Sequence, residues 1–349
     1  MRALVLERKH QAVLRDIALP NALGPNDVRI AMRVVGICGS DIHYYETGAI
    51  GPFVVREPMV LGHEGSGVVA EVGAAVKHLA PGDRVCMEPG IPDWRSRAAR
   101  EGNYNLDSTL GFWATPPVHG CLAPEVVHPA DLTFRLPDNV TFAEGAFVEP
   151  LAVALQAVKK AEIQPGQIGV VLGGGTIGLV TALSALASGC AKVIVTDVKS
   201  ERLDVASRYD GLVPVDISTE SAAARVGALT DGWGAEVLFE ASGNPKAFAG
   251  MFDLVAPGGK VVLIGMPGEP VPLDVVAAQV KEISIATVFR YANVYRHALA
   301  LLESGKIDVK PLISRTFPFE QSVEAFQFAA ANHPSVVKTQ IAFEGAPDA

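Results

Sequence analysis

A five-residue apolar run, Ile168–Leu172, leads directly into Gly173-Gly174-Gly175-Thr176-Ile177-Gly178, and no charged residue follows until after Ala191. That uncharged stretch is long enough to span a bilayer. The glycines break it near its start, however, so it reads as a buried strand, a tight turn and a buried helix over Thr176–Ala187, without a membrane span. A further strand over Lys192–Asp197 ends on a carboxylate about twenty positions after Gly178. Each glycine has its own reason to be there. Gly173 permits the turn, Gly175 lets a pyrophosphate approach the backbone, and Gly178 lets helix and strand pack closely. The helix N-terminus then offers unpaired N–H groups and partial positive charge to phosphates. Asp197 can accept both ribose hydroxyls of an adenosine and would repel a 2′-phosphate, which favours NAD over NADP, while the nearby Lys199 and Arg202 soften that preference.

The pattern around this turn alternates strands and helices. A helix over 151–161, with Pro150 near its start, precedes it. Helical 201–209, a strand over 236–240, helical 245–255 closed by Gly258-Gly259, a strand over 260–265 and a strand over 283–289 follow. Such alternation builds a doubly wound parallel sheet covered by helices on both faces, an α/β domain placed here at 151–285. Residues 1–150 differ. Short alternating runs, 28–35 and 67–72 among them, are bounded by Gly and Pro and read as an irregular β-rich domain. The tail, 286–349, carries amphipathic helices near 293–304 and 319–331 and is expected to complete that first domain.

Composition excludes other classes. With 29 Lys and Arg against 38 Asp and Glu, the net charge is −9, the wrong sign for a general nucleic-acid binder. An apolar content of 49% with 19% charged residues supports buried cores. The four cysteines, at 38, 86, 121 and 190, are too few for a disulfide framework, and no pair has Cys-x-x-Cys spacing; a reducing, cytoplasmic setting is expected. The N-terminus meets charge too early for a signal-peptide core.

The β-rich region also carries Gly36-Ile37-Cys38-Gly39-Ser40-Asp41-Ile42-His43, then Gly62-His63-Glu64-Gly65-Ser66-Gly67, and at its end Glu149-Pro150. Cys38, His63, Glu64 and Glu149 are competent zinc ligands, and a three-ligand site leaves a position open for substrate. Mixed S, N and O donors suit zinc better than magnesium or calcium. Singly, each residue has an ordinary reading as a buried thiol, a hydrogen-bonded ring or a paired carboxylate. Their joint appearance ahead of a nucleotide fold carries the inference.

In this order, GICGSDIH, GHEGSGVV and GGGTIG resemble the zinc-dependent medium-chain alcohol dehydrogenases over nearly the whole chain. PMVLGHEGSG, GNYNLDSTLGFWATPP, EGAFVEPLAV and FRYANVY bring it nearest to the polyol branch, the sorbitol and xylitol dehydrogenases. The resemblance implies a GroES-like β-rich catalytic domain and a Rossmann domain. It also implies one catalytic zinc per subunit at Cys38, His63 and Glu64, with Glu149 either reaching the metal through water or holding substrate; which glutamate ligates directly stays open. Many relatives hold a structural zinc in a four-cysteine lobe. Residues 93–105 read DWRSRAAREGNYN, without cysteine, so no structural zinc is expected.

The chemistry that follows is oxidation of a polyol to a ketose. Zinc coordination stabilises the alkoxide, which gives its hydride to NAD. Ser40 and His43 are candidates for passing the proton to solvent, His43 alternatively contacting only the cofactor ribose. Asp41 is expected to accept the free ring N–H of His63. By resemblance, Tyr44, Glu149, Arg290 and Tyr291 contact substrate, although either tyrosine could equally be core. Ile177, Ile264, Gly265, Met266, Val288, Phe289 and Arg290 flank the nicotinamide half, and Asp197 and Arg202 the adenosine half. A homo-oligomer, tetramer or dimer, is expected, with no nucleic-acid or membrane partner. Two alternatives remain: a dehydrogenase of L-threonine, 2,3-butanediol or a sugar acid, and, more remotely, an NAD-binding protein without catalysis.

Overall fold

The computed structural model describes residues 1–346. The chain forms two compact units, one of Met1–Glu149 with the chain from Tyr295 onward, the other of Pro150–Val294. The sequence reading returns the chain to the first unit at 286. The structure keeps 286–294 with the second, because Ser284–Thr287 is hydrogen-bonded into that unit's sheet beside Val255–Leu263.

That sheet has six strands, all parallel, in the order Leu212–Asp216, Lys192–Asp197, Ile168–Leu172, Ala235–Glu240, Val255–Leu263 and Ser284–Thr287. The chain order reverses between Ile168–Leu172 and Ala235–Glu240, whose ends pair as Leu172↔Glu240. The glycine turn therefore emerges at the switch point of the sheet, where ligands of open α/β sheets bind. Three local expectations are corrected. The helix expected over 151–161 runs Phe142–Ala161 with Pro150 inside it. A reciprocal cap at Thr141 and Glu144 starts it: Thr141 N donates to Glu144 Oε2 at 2.9 Å and Glu144 N to Thr141 Oγ1 at 3.2 Å. Helical 245–255 is cut to Pro245–Phe248 and a 3-10 turn Met251–Leu254 by Gly250, whose φ is 71°. The following strand then begins at Val255, with Gly258-Gly259 inside it at a register shift instead of closing the unit. Leu212–Asp216 escaped the sequence reading because Pro214 argues against a strand; it is an edge strand, where a missing N–H is tolerated. Among the described residues no helix is long and apolar enough to cross a membrane.

The first unit is built on the strand Asp27–Gly36. Glu64–Val72 and Lys338–Ala342 lie antiparallel on its two sides. Arg84–Met87 and Thr133–Arg135 extend the sheet beyond the former, and Ile313–Pro318 beyond the latter. Ile30, Met32, Leu61, Met87 and Leu122 are fully buried beneath it. The segment GSDIHYYET, read only as a short stretch in the sequence, is a helix, Gly39–Thr47. The cysteine-free lobe after 93 is tied by hydrogen bonds. Asp107 accepts from Asp93 N at 2.7 Å, and Tyr104 Oη donates to the buried Glu88 at 2.7 Å.

His128, on the strand Glu125–Pro129, is wholly buried, with Nε2 2.9 Å from the Glu88 carbonyl oxygen and its ring 4.4 Å from that of Trp113. Burial pushes the ring down to about 4 from its ordinary 6.5. The unfolded chain therefore takes this proton first, and the stability contributed by the neutral ring is complete above about 6.5 and lost as pH falls towards 4. His128→Gln removes this titration. The difference in unfolding free energy between wild type and His128→Gln is expected to shrink by about 3 kcal/mol between about pH 7.5 and about pH 4. Urea unfolding at each pH reads it, and a difference that stays constant contradicts it.

Candidate functional site

Strand register brings the metal-competent residues together. Gly36, at the end of the central strand, pairs with Glu64 on one side and Gln340 on the other. Two residues later Cys38 caps the helix Gly39–Thr47. Its backbone N–H donates to Asp41 Oδ2 at 3.2 Å, and the N–H of Gly62 donates to Asp41 Oδ1 at 3.0 Å. One carboxylate with no exposure thus ties the segment carrying Cys38 to the segment carrying His63. Gly62 must be glycine: its φ is 87°, and a Cβ would meet Leu122 at 2.7 Å. The Cys38, His63 and Glu64 ligand atoms lie within 4.8 Å of one another.

The local field attracts cations. Burial works against a charged His63, yet Asp41, Cys38 and Glu149 outweigh it and push the ring up to about 10. Burial likewise opposes the Lys338 ammonium, and Glu64, Cys38 and Glu149 more than offset it. Burial raises the Asp41 carboxyl, against the pull of His63 and the two N–H groups. Asp41 Oδ2 stands 3.7 Å from His63 Nδ1, an ion-pair distance too long for the expected hydrogen bond, and His63 Nδ1 has no hydrogen-bond partner. Glu64 Oε2 forms an ion pair with Lys338, and both Glu64 oxygens are buried without a hydrogen-bond partner. A thiol, an imidazole and a carboxylate with an orphaned oxygen form a donor set that fits zinc.

Other candidates are placed as follows. Glu149 is buried on the helix Phe142–Ala161 and outside the three-residue group, although its charge is felt at His63, Lys338 and Glu88. Glu88 is pushed up to about 7, chiefly by burial. On the helix Gly39–Thr47, Ser40 is half-buried, His43 exposed and Tyr44 buried. Two residues were missed by the sequence reading. The Phe112 ring stands 5.6 Å from that of His63, and Lys338 pairs with Glu64. The available signal for the second was a lone charge in the apolar run VVKTQIAF, which demands a buried partner.

In the second unit the glycine turn has the expected construction. Gly173 has φ 105°, a Cβ on Gly178 would sit 1.8 Å from the Gly173 carbonyl oxygen, and Gly175 caps the helix Thr176–Ala187. Asp197 accepts from Gly174 N at 2.7 Å and from the N–H groups of Val198 and Lys199, with Arg202 Nη1 at 3.8 Å. It braces the turn and still has lone pairs to offer. Ile264 is buried, and Gly265 packs where a Cβ would reach Gly243 N at 2.2 Å. Ile177 and Val288 are half-buried, while Met266 and Phe289 are exposed. The Arg290 guanidinium lies 4.8 Å over the Phe289 ring, and Tyr291 is buried.

Residues 24–138 match the family described as alcohol dehydrogenase GroES-like domain, and residues 176–304 the family described as zinc-binding dehydrogenase. The chain is 55% identical to a D-xylulose reductase of Morganella morganii, covering 95% of this chain and 98% of that one. It is 45% identical to a sorbitol dehydrogenase of Arabidopsis thaliana, covering 91% and 88%. Among solved structures, an oxidoreductase/dehydrogenase of unknown specificity from Escherichia coli superposes with a TM-score of 0.93 at 33% identity, over 98% of this chain and 99% of that one.

Asp41→Asn tests the tie between the two segments. An amide can accept from only one of the two N–H groups and turns a donor on the other. The variant is expected to lose zinc affinity by about 10–100-fold, measured by competition with a chelator. Unchanged affinity contradicts the role given to Asp41.

Proposed function

Since the chain belongs to the zinc-binding alcohol dehydrogenase family with a GroES-like domain, we propose that it oxidises a small polyol of the xylitol and sorbitol class to the corresponding ketose, with NAD as acceptor. The observation that carries this is the convergence of Cys38, His63 and Glu64 within 4.8 Å. The substrate class rests on the names of the D-xylulose reductase and sorbitol dehydrogenase relatives.

Cys38, His63 and Glu64 would hold one zinc ion per subunit. Glu149, buried but outside that group, would act on a water or a substrate hydroxyl. When bound, zinc supplies a Lewis acid that lowers the pKa of a hydroxyl, and NAD accepts the hydride. The chain's own part is to position and to carry the proton. Asp41 fixes the separation of the two ligand segments. Ser40 takes the hydroxyl proton and His43, three positions on along one helix face and exposed, delivers it to solvent. Tyr44, Glu149, Arg290 and Tyr291 are the proposed partners of substrate hydroxyls. A site built on such pairs rejects a plain alcohol, which leaves them unsatisfied. The turn shaped by Gly173 and Gly178 receives the pyrophosphate at Gly175, with Asp197 and Arg202 beside the adenosine. Asp197 favours NAD over NADP by charge.

A cytoplasmic homo-oligomer, tetramer or dimer, completes the reading. Supporting association, Ser284–Thr287 is an edge strand and Val275, Val276, Val280 and Ile285 are exposed close to it in sequence.

A panel of xylitol, sorbitol, L-threonine and 2,3-butanediol with NAD and NADP, with zinc measured on the same sample, tests the function. Turnover of a polyol with NAD is expected. Activity confined to L-threonine or 2,3-butanediol refutes the polyol assignment. Cys38→Ser is expected to cut kcat by at least about 10³-fold and to leave NAD affinity within about threefold, since the residues proposed for NAD lie in the other unit.

A further inference from the structure

Lys338 opens the strand Lys338–Ala342 and is only 2% exposed. Its ammonium donates to the Ile37 carbonyl oxygen at 3.0 Å, pairs with Glu64 Oε2, and lies 5.9 Å from the centre of the Phe147 ring. The backbone is shaped around this pair. A Cβ on Gly36 would come within 2.0 Å of Glu64 Oε2 and 3.0 Å of Lys338 Cε. A buried ion pair adds little net stability, because desolvation of both charges offsets their attraction. Its position on a carboxylate of the metal-competent group therefore calls for another explanation.

The two oxygens of Glu64 differ. Both are buried without a hydrogen-bond partner, and Oε2 is the one that forms the ion pair with the Lys338 ammonium. We propose that Lys338 is a positioning residue that divides Glu64 between two cations, keeping Oε2 for itself and leaving Oε1 for the metal ion. This rests on the zinc reading above. The consequence is a carboxylate that gives the ion one oxygen instead of two. Two cations sharing one carboxylate also repel each other. Lys338 thereby weakens the hold on the ion and preserves its Lewis acidity towards a hydroxyl. Without the ammonium both oxygens become available, so the ion is bound more tightly and acts as a weaker acid.

The test uses the full-length protein. Zinc affinity is read by competition with a chromophoric chelator, and coordination by the visible spectrum of the cobalt-substituted protein. K338M is expected to bind zinc at least about tenfold more tightly than wild type. Its cobalt bands should weaken as coordination rises above four, and kcat should fall with NAD affinity unchanged. K338R, which keeps the cation, should return affinity and spectrum to wild-type values. K338Q drops the charge but keeps a donor for Ile37, and reads the same quantity where K338M does not fold. A folded, uncharged variant with zinc affinity equal to or weaker than wild type, or with a wild-type cobalt spectrum, overturns the proposal. Failure of the underlying reading looks different: wild type then binds no zinc, or Cys38→Ser binds it as well as wild type does, whatever Lys338 variants show.

Discussion

The Asp41 carboxylate is the interaction on which the candidate metal group depends. Cys38 and His63 are placed by the backbone segments that carry them. Each sits on a backbone whose N–H, at Cys38 itself and at Gly62, donates to a different oxygen of Asp41. Burying that carboxylate is costly and raises its pKa, and two N–H bonds with the nearby His63 charge offset part of that cost. The strand pairing Gly36↔Glu64 sets the third ligand from the other direction. The geometry is thus over-determined by backbone hydrogen bonds before any ligand binds, which is what a site needs if binding is not to require reorganisation.

Charge governs the rest of the group. Cys38, Asp41, Glu64 and Glu149 are all capable of negative charge, and His63 and Lys338 are the cations that answer them. A divalent ion would take over the role that a proton on His63 plays in its absence. Lys338 differs from the other members, since no proton-transfer or ligand role accounts for it, only a balance of charge on Glu64. The dinucleotide turn solves a simpler problem. In the proposed binding of NAD, phosphates would be met by N–H groups at a helix terminus, and Asp197, which braces that turn through Gly174, would offer its remaining lone pairs to a ribose.

How much of this was legible follows from the range of the interactions. The strand–turn–helix at 168–187 could be read because its glycines answer to backbone geometry within a few residues. The Cys38, His63 and Glu64 set could be read only jointly, because each residue alone is ordinary. The start of the helix at Phe142 was visible in Thr141-x-x-Glu144, but Pro150 drew the boundary to itself, since a proline usually stands in a first turn. Pro214 hid an edge strand in the same way. Lys338 was not legible as part of the site, because its partner is far away in sequence and only the register of Lys338–Ala342 against Asp27–Gly36 joins them. The expected Asp41–His63 hydrogen bond gives way to an ion-pair contact at 3.7 Å, because the separation of the two side chains follows from backbone placement that sequence spacing does not encode.

The central claim is that Cys38, His63 and Glu64 together grip one Lewis-acidic ion. X-ray absorption at the zinc edge of the purified protein tests it most directly. The account predicts one sulfur scatterer at about 2.3 Å with nitrogen and oxygen neighbours at about 2.0–2.2 Å, the sulfur shell disappearing in Cys38→Ser. A zinc environment with no sulfur in the wild-type protein, or with the sulfur retained in that variant, contradicts it.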